Sequence, residues 1–387
     1  MPTALAYEEI LRRLVAFDTT SPESNLPAVD WLAERLDRPG VAIERNLSSD
    51  GRKANLCVRL GPPGDVSGRE GLVLCGHLDT VPAGEPGWTS DPFSLTDRGE
   101  RWVARGVCDM KGFVAVAAAH AEGIHPGSLE APLALLFTYD EEVGSLGAQR
   151  FVATSADRSP LPSRVVVGEP TSLEVVRLHR GHLRMSLEVD GESAHGGTPH
   201  LGSNAVTAAA RAVVALDRLA GELAAERPPH AGEFPQAPYV ALNVGRIDGG
   251  RAVNVVPDRC SVLFGLRPLP GMDSQALVER ARGAVAEALG ETPWRLRLEN
   301  ESPPFLGSDS GLAAEILDLV SRTETHSAPF SSDAGTLQRL GHECVLWGPG
   351  SIAVAHRPNE WIAKAELERA HELLGRLIAA RCGGSNA

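Results

Sequence analysis

Short runs of apolar residues, each closed by polar residues, dominate the first half of the chain. Residues 71–75, 133–137 and 165–167 form three such runs, and a weaker run covers 102–104. Continuous apolar runs are typical of strands that are buried on both faces, with helices between them. Ligands bind at the carboxyl ends of strands in open α/β sheets. The pattern therefore predicts an α/β domain with a mostly parallel central sheet and a polar site at one edge.

The pattern changes at about residue 180, where apolar and polar residues alternate from Leu183 to Val189. Alternation predicts a strand with one face in water. The elements that follow give the order β-α-β-β-α-β, which is the ferredoxin-like arrangement. We predict an inserted α+β lid and dimerisation domain over residues 180–297, and a catalytic domain formed by residues 1–179 and 298–387. The predicted helices of the insert cover 203–226 and 273–289, and its later strands cover 239–246, 260–267 and 294–298.

Length and charge narrow the class of protein. A chain of 387 residues exceeds one ordinary core, which agrees with two domains. The net charge of -13 argues against a nucleic-acid partner, because binding to phosphates needs concentrated Lys and Arg. The chain contains no run of 18 apolar residues that would span a membrane. The N-terminal residues lack the features of a signal peptide, and the six cysteines lack a paired spacing, so we expect a cytoplasmic protein with buried thiols.

The residues at the strand ends are of the types that bind metal ions. His77 and Asp79 point to the same side of an extended backbone, so Asp79 can accept a hydrogen bond from the imidazole and fix its tautomer. Asp109 precedes a predicted helix that starts at Lys111. A capping aspartate beside a core histidine is the structural alternative for the first pair, and an N-cap is the alternative for Asp109.

Three further candidates follow along the chain. Glu141 and Glu142 are adjacent carboxylates that repel each other, which favours a nearby cation, although a solvated helix start would also tolerate them. Glu169 is held extended by Pro170, and His356 lies in a loop rich in glycine. Each signal is modest, and their common placement at strand ends strengthens the case for a metal site.

Longer motifs resemble the superfamily of two-zinc hydrolases that contains aminoacylases, carboxypeptidase G and succinyl-diaminopimelate desuccinylases. The resemblance covers nearly the whole chain, and it is greatest with the acetylornithine deacetylase subgroup. The motifs that carry it are residues 76–82, 109–113, 140–142, 168–173, 267–272 and 348–352 with His356.

The resemblance implies a role for each matched residue. One metal ion would be held by His77 and Glu169, the other by Glu142 and His356, with Asp109 between them. Glu141 would be the general base, and Asp79 would orient His77. The cofactor would be two Zn(II) ions per chain, with Co(II) or Mn(II) as alternatives for the same ligand types.

Residues of the inserted domain complete the expected site. His195 would reach the active site of the partner in a homodimer and donate to the developing oxyanion. Arg267 and Arg180 would bind the substrate carboxylate, and Asn254 would lie near the acyl group. Segments 193–200 and 254–258 differ from the deacetylase pattern.

The implied reaction is metal-dependent removal of an acyl group from a small N-acyl amino acid. The first expectation is hydrolysis of N-acetylornithine to ornithine and acetate, in arginine biosynthesis. The enzymatic alternatives are deacetylation of acetylcitrulline, desuccinylation of diaminopimelate, and hydrolysis of a peptide by a dipeptidase or carboxypeptidase. A catalytically silent binding protein on the same fold is the remaining alternative, and the presence of Glu141 argues against it.

Overall fold

The computed structural model describes residues 4–62, 71–154 and 161–383. The chain divides into two compact units. The first unit consists of Met1–Arg177, Gly307–His326 and Ser332–Ala387, and the second of Leu178–Leu306 with Ser327–Ser331. Among the described residues, none of the helices is both long and apolar enough to cross a membrane.

The first unit contains helices and strands that alternate along the chain. Its helices are α1 (Ala4–Val15), α2 (Leu26–Leu36), α3 (Gly112–Gly123), α4 (Leu146–Thr154), α7 (Leu312–Val320), α8 (Ala334–Gln338) and α9 (Lys364–Cys382). Its strands are β1 (Val41–Leu47), β2 (Ala54–Leu60), β3 (Leu72–His77), β4 (Thr96–Asp97), β5 (Arg101–Val103), β6 (Leu133–Thr138), β7 (Arg164–Val167), β15 (Glu343–Leu346) and β16 (Trp361–Ala363). Two strands lie at the unit boundaries, β8 (Val176–His179) and β14 (His326–Ala328).

The central sheet of the first unit has the strand order β1-β2-β6-β3-β7-β15. Strands β6, β3, β7 and β15 are parallel to one another, and β1 and β2 extend the sheet with antiparallel pairs. Every residue of β3 and β6 is buried, which explains why both read as continuous apolar runs. The expected α/β class with a mostly parallel central sheet is therefore confirmed.

Helix α3 lies in the core of this unit. Its residues from Gly112 to Ala121 are all buried, as expected for a helix that is apolar on every side. The Phe113 ring of this helix lies against Gly168, where a Cβ atom would come within 2.0 Å of the ring. Only glycine permits this close approach, and it fixes the chain just before Glu169.

The weaker apolar run at 102–104 forms β5, which belongs to a separate three-stranded sheet of order β16-β5-β4. All pairs in this small sheet are antiparallel. Asp109 therefore reaches the site from a loop between β5 and α3 rather than from the end of a central strand.

The second unit contains β9 (His182–Asp190), α5 (Ala205–Ala225), β10 (Ala241–Gly249), β11 (Arg259–Arg267), α6 (Ser274–Leu289), β12 (Trp294–Ser302) and β13 (Phe305–Leu306). Its four-stranded antiparallel sheet has the order β10-β11-β9-β12. This order and the β-α-β-β-α-β succession are ferredoxin-like. Asp273 caps α6, since its side chain accepts a hydrogen bond from the Gln275 N–H at 2.8 Å. The unit extends past the expected end at residue 297 because β12 continues to Ser302.

Candidate metal centre

Four of the candidate residues come together because three parallel strands end at one edge of the sheet: His77, Glu141, Glu142 and Glu169. His77 is the last residue of β3 and pairs with Thr138, the last residue of β6. Glu141 and Glu142 follow β6 within four residues, and Glu169 follows β7 within two. Because these strands are parallel, side chains that are distant in sequence lie close together at the same edge of the sheet.

His77 is almost fully buried, and both of its ring nitrogens have partners. Its Nδ1 lies 2.9 Å from the main-chain oxygen of Asp79, and its Nε2 lies 3.0 Å from Oδ1 of Asp109. The Asp79 carboxylate is farther from Nδ1, at 3.6 Å. The predicted orientation of the ring by Asp79 is therefore provided mainly by the Asp79 carbonyl group. An Nδ1–H that donates to this oxygen leaves Nε2 as the ligand atom.

The Asp79 carboxylate contacts the acidic pair instead. It accepts hydrogen bonds from the main-chain N–H groups of Glu141 and Glu142, both at 3.1 Å. The Ser21 hydroxyl donates to the same carboxylate at 2.7 Å. Asp79 is 2% exposed, so these bonds are not in competition with bulk water. Asp79 thus fixes the direction in which Glu141 and Glu142 leave the sheet.

Asp109 lies between the two histidines. Its Oδ1 contacts His77 as described, and its Oδ2 lies 3.3 Å from Nε2 of His356. The same His356 nitrogen lies 3.1 Å from Oε1 of Glu142. His356 has a left-handed backbone with φ of 60°, in the loop that the glycines of 348–350 begin.

Ligand-type atoms are close enough to share a cation. One atom from each of His77, Glu141 and Glu169 lies within 4.8 Å of the others, and the same holds for His77, Asp109 and Glu142. Glu169 is 3% exposed, and its Oε1 has no hydrogen-bond partner among the described residues. An unpartnered buried carboxylate oxygen is costly unless a cation or water binds it.

The pKa values show the same excess of negative charge. Burial and the nearby Glu169 hold the pKa of Glu141 well above its ordinary value, and burial and Asp109 do the same for Glu169. Burial and Asp109 raise the pKa of Glu142 to about 7. Hydrogen bonds to Asp109 and Glu142 raise the pKa of His356 to about 10. These residues fit divalent cations, because imidazole nitrogens and carboxylate oxygens suit Zn(II), Co(II) and Mn(II).

The other four predicted residues belong to the second unit. The ring of the exposed His195 accepts a hydrogen bond at Nδ1 from the Gly197 N–H at 3.0 Å, so a neutral ring carries its proton on Nε2. The Gly196 N–H donates to the main-chain oxygen of Asn254 at 2.8 Å, which places His195 and Asn254 on paired segments.

The two arginines also lie on neighbouring segments, because the Gly181 N–H donates to the Pro268 carbonyl group at 2.9 Å. Arg180 is buried and donates to the carbonyl groups of Ala237 and Tyr239, with its guanidinium 4.8 Å from the Phe234 ring centroid. These contacts are those of a structural arginine. Arg267 ends β11.

Several residues around the site were not predicted from the sequence. Ser21 lies in the segment 18–22, whose residue types indicate only a turn between two helices. Asp333 is buried and accepts a hydrogen bond from the Thr138 hydroxyl at 2.6 Å, next to the end of β6. Glu360 is buried beside the Asp109 loop. In the sequence, Glu360 is marked only by its position four residues after His356.

Known proteins resemble the chain over almost its whole length. The model for Peptidase family M20/M25/M40 matches residues 73–380. The acetylornithine deacetylases of Proteus mirabilis and Myxococcus xanthus are each 35% identical, with 97% and 99% of this chain covered and the same shares of theirs.

Solved structures share the fold. An M20 family metallo-carboxypeptidase from Sulfolobus solfataricus has a TM-score of 0.78 at 17% identity, covering 96% of this chain and 98% of its own. A dinuclear metal binding peptidase of the M20 family from Bacillus subtilis has a TM-score of 0.66 at 14% identity, with 97% and 98% covered. The resemblance drawn from the motifs is thus confirmed, and the chain belongs to peptidase family M20/M25/M40, whose members are metal-dependent hydrolases of amide bonds.

Proposed function

We propose that the chain hydrolyses N-acetylornithine to ornithine and acetate. The observation that carries this proposal is identity of 35% to two acetylornithine deacetylases over 97% or more of the chain. The geometry supports the chemistry, because the buried His77 and four acidic side chains lie together at the edge of the central sheet.

Five residues would hold two divalent cations. His77 and Glu169 would bind one ion, Glu142 and His356 the other, and Asp109 both. The bound ions would supply positive charge that acidifies a water molecule and polarises the scissile carbonyl group. Zn(II) is the first candidate, with Co(II) and Mn(II) as alternatives.

Glu141 would move the proton. Its main-chain N–H is held by Asp79, and its side chain lies beside Glu169 and His77. The carboxylate would take a proton from the attacking water and return it to the leaving nitrogen, so that the amide and water become acetate and an amine.

Residues of the second unit would bind the rest of the substrate. Arg267 would grip the carboxylate of the amino acid, since a guanidinium binds a carboxylate through two hydrogen bonds. Arg180 is the weaker candidate, because its guanidinium donates to main-chain carbonyl groups that a structural role explains, and Asn254 would lie near the acyl group. His195 would act in a homodimer, where its Nε2–H would donate to the oxyanion in the partner's site. One such donor is worth about 2.7–4 kcal/mol.

The test is a panel of substrates with defined metal content. Metal-free protein would be reconstituted with Zn(II) or Co(II) and assayed with N-acetylornithine, N-acetylcitrulline, N-succinyl-diaminopimelate and a dipeptide. The proposal requires the highest kcat/KM on N-acetylornithine, with activity lost on chelation and restored by metal. If kcat/KM for another compound of the panel is tenfold higher or more, that compound replaces N-acetylornithine as the proposed substrate. If none of the four compounds is hydrolysed, a binding protein is favoured.

A further inference from the structure

The carboxylate of Glu360 is saturated by donors from a single loop. Its Oε1 accepts hydrogen bonds from the N–H groups of Cys108 at 2.9 Å and Asp109 at 3.1 Å. Its Oε2 accepts from the Gly106 N–H at 3.1 Å and from Nη1 of Arg105 at 2.9 Å. The side chain is 1% exposed, so this carboxylate belongs to the interior and not to a solvated surface.

These bonds determine where Asp109 points. The loop joins β5 to α3, and Gly106 enters it with a positive φ of 74°. Asp109 itself is extended, with φ of -122° and ψ of 92°, and its carboxylate contacts His77 and His356. The N–H groups of an irregular buried loop need acceptors, and the two oxygens of Glu360 accept from three of these N–H groups.

Residues 356–360 carry both His356 and Glu360, and Asn359 in this segment also contacts the loop at Gly87 and Thr89. Asn359 accepts hydrogen bonds from the N–H and the hydroxyl of Thr89, at 2.8 and 2.7 Å, and donates to the Gly87 carbonyl group at 2.8 Å. The Ala104 N–H donates to the Glu360 main-chain oxygen at 3.1 Å. The main chain next to His356 is therefore hydrogen-bonded to the main chain next to Asp109.

We propose that Glu360 is a positioning residue that fixes Asp109 relative to His356 and thereby makes the two ion sites depend on each other. This inference rests on the proposed role of Asp109 as the ligand shared by both ions. Loss of the Glu360 carboxylate releases the loop at three N–H groups, so both sites lose the same ligand geometry. Loss of Glu142 or Glu169 would instead affect mainly the ion that each one binds.

Glu360→Gln is the direct test, because it keeps the size of the side chain and replaces one carboxylate oxygen by an NH2 group. Depending on the orientation of the amide, the acceptor is lost either for the Gly106 N–H or for the N–H groups of Cys108 and Asp109. Arg105 keeps contacts with Glu85 and with the Pro82 carbonyl group, so this substitution does not leave a buried cation without partners. Metal-free protein would be titrated with Co(II), with bound ions followed by visible absorption and calorimetry. We expect both binding steps to weaken by about 10–100-fold, the usual effect of losing a residue that orients a metal ligand.

Glu343→Gln is the matched control. Glu343 also accepts a main-chain N–H, that of Leu312 at 2.6 Å, and an arginine donor, Nε of Arg164 at 3.2 Å. Among the described residues, Glu343 contacts Leu312 and Arg164 and none of the candidate metal ligands. Its variant should bind Co(II) as the wild type does. Thermal unfolding of the metal-free proteins would show whether both substitutions cost similar stability.

Three results would overturn the inference: unchanged Co(II) binding in Glu360→Gln, a loss equal to that of the control, or weakening of one ion alone. If Glu360→Gln does not fold, Glu360→Asp keeps the charge and withdraws the carboxylate by one methylene, and the same two-step weakening is required of it. Wild-type protein that binds two ions without hydrolysing N-acetylornithine would refute the proposed substrate and leave this inference intact. Wild-type protein that binds fewer than two ions would refute the coupling.

Discussion

Asp79 holds the acidic pair through hydrogen bonds that asparagine cannot reproduce in full. In Asp79→Asn the amide has the shape of the carboxylate, but one oxygen becomes an NH2 group. If the remaining oxygen occupies the position of Oδ2, it keeps the bonds from Ser21 and Glu142. The Glu141 N–H, which now contacts Oδ1, then faces another donor and loses its acceptor.

The size of the effect follows from that single lost bond. A hydrogen bond to a charged group contributes about 1.5–3 kcal/mol. If the loss falls on the transition state, it lowers kcat by about 10–150-fold, at 1.4 kcal/mol for each factor of ten. In the reverse orientation the Glu142 N–H loses its acceptor, whereas the Ser21 hydroxyl can turn and accept from the NH2 group, so this orientation also loses one main-chain bond.

The assay measures acetate release from N-acetylornithine at saturating substrate and metal, together with the metal content of each variant. Ser21→Ala is the comparison, because it removes one donor and leaves the Asp79 charge and both N–H bonds in place. We expect its kcat to fall less than that of Asp79→Asn. Two results would contradict the reasoning: an Asp79→Asn enzyme within twofold of wild type, or a Ser21→Ala enzyme that is the more damaged of the two.

Further predictions concern Glu141, Arg267, His195 and the effect of pH. Glu141→Gln should keep both ions and lose about 10²–10⁴-fold or more in kcat, and metal analysis that shows an empty site would contradict the assignment. Arg267→Ala should raise KM for N-acetylornithine far more than for the matching carboxamide, and equal losses on both would remove the carboxylate role. Mixing inactive His195→Ala chains with inactive Glu141→Gln chains under subunit exchange should restore activity, because one site of a mixed dimer carries both defects and the other is intact. The contribution of Glu142 to the stability of the metal-free protein should fall as pH rises from about 4.5 through about 7, because the pKa of Glu142 is raised on folding and its protonated form is favoured. Thermal unfolding against pH should therefore show a steeper loss in the wild type than in Glu142→Gln, and equal slopes would contradict the prediction.

The central sheet was predictable because burial on both faces leaves a direct mark on the sequence. The apolar runs that became β3, β6 and β7 are buried at nearly every position. Periodicity reports burial and not pairing, which is why the similar run at β5 gave no sign that it belongs to another sheet. Strand β1 was not predicted, since it is mostly half-buried or exposed.

The candidate ligands were predictable from residue type, and the residues that position them were not. His77, Asp109 and Glu142 are chemically suited to metal binding wherever they occur in a chain. Ser21 and Glu360 act through partners 58 and 251 residues away, and only the folded chain brings these groups together. Sequence reasoning also gave Asp79 a role toward the His77 ring, whereas its carboxylate contacts the main chain of Glu141 and Glu142.

The spread of the proposed ligands along the chain has a consequence for biosynthesis. His77 leaves the ribosome early, whereas His356 follows 279 residues later (356 − 77). At about 5–20 residues per second, tens of seconds separate the first ligand from the last. His77 and the early carboxylates therefore lack their last partner while the second unit is being made. We expect tight retention of two ions to require synthesis through His356, and truncation before residue 356 to yield a product that cannot retain both.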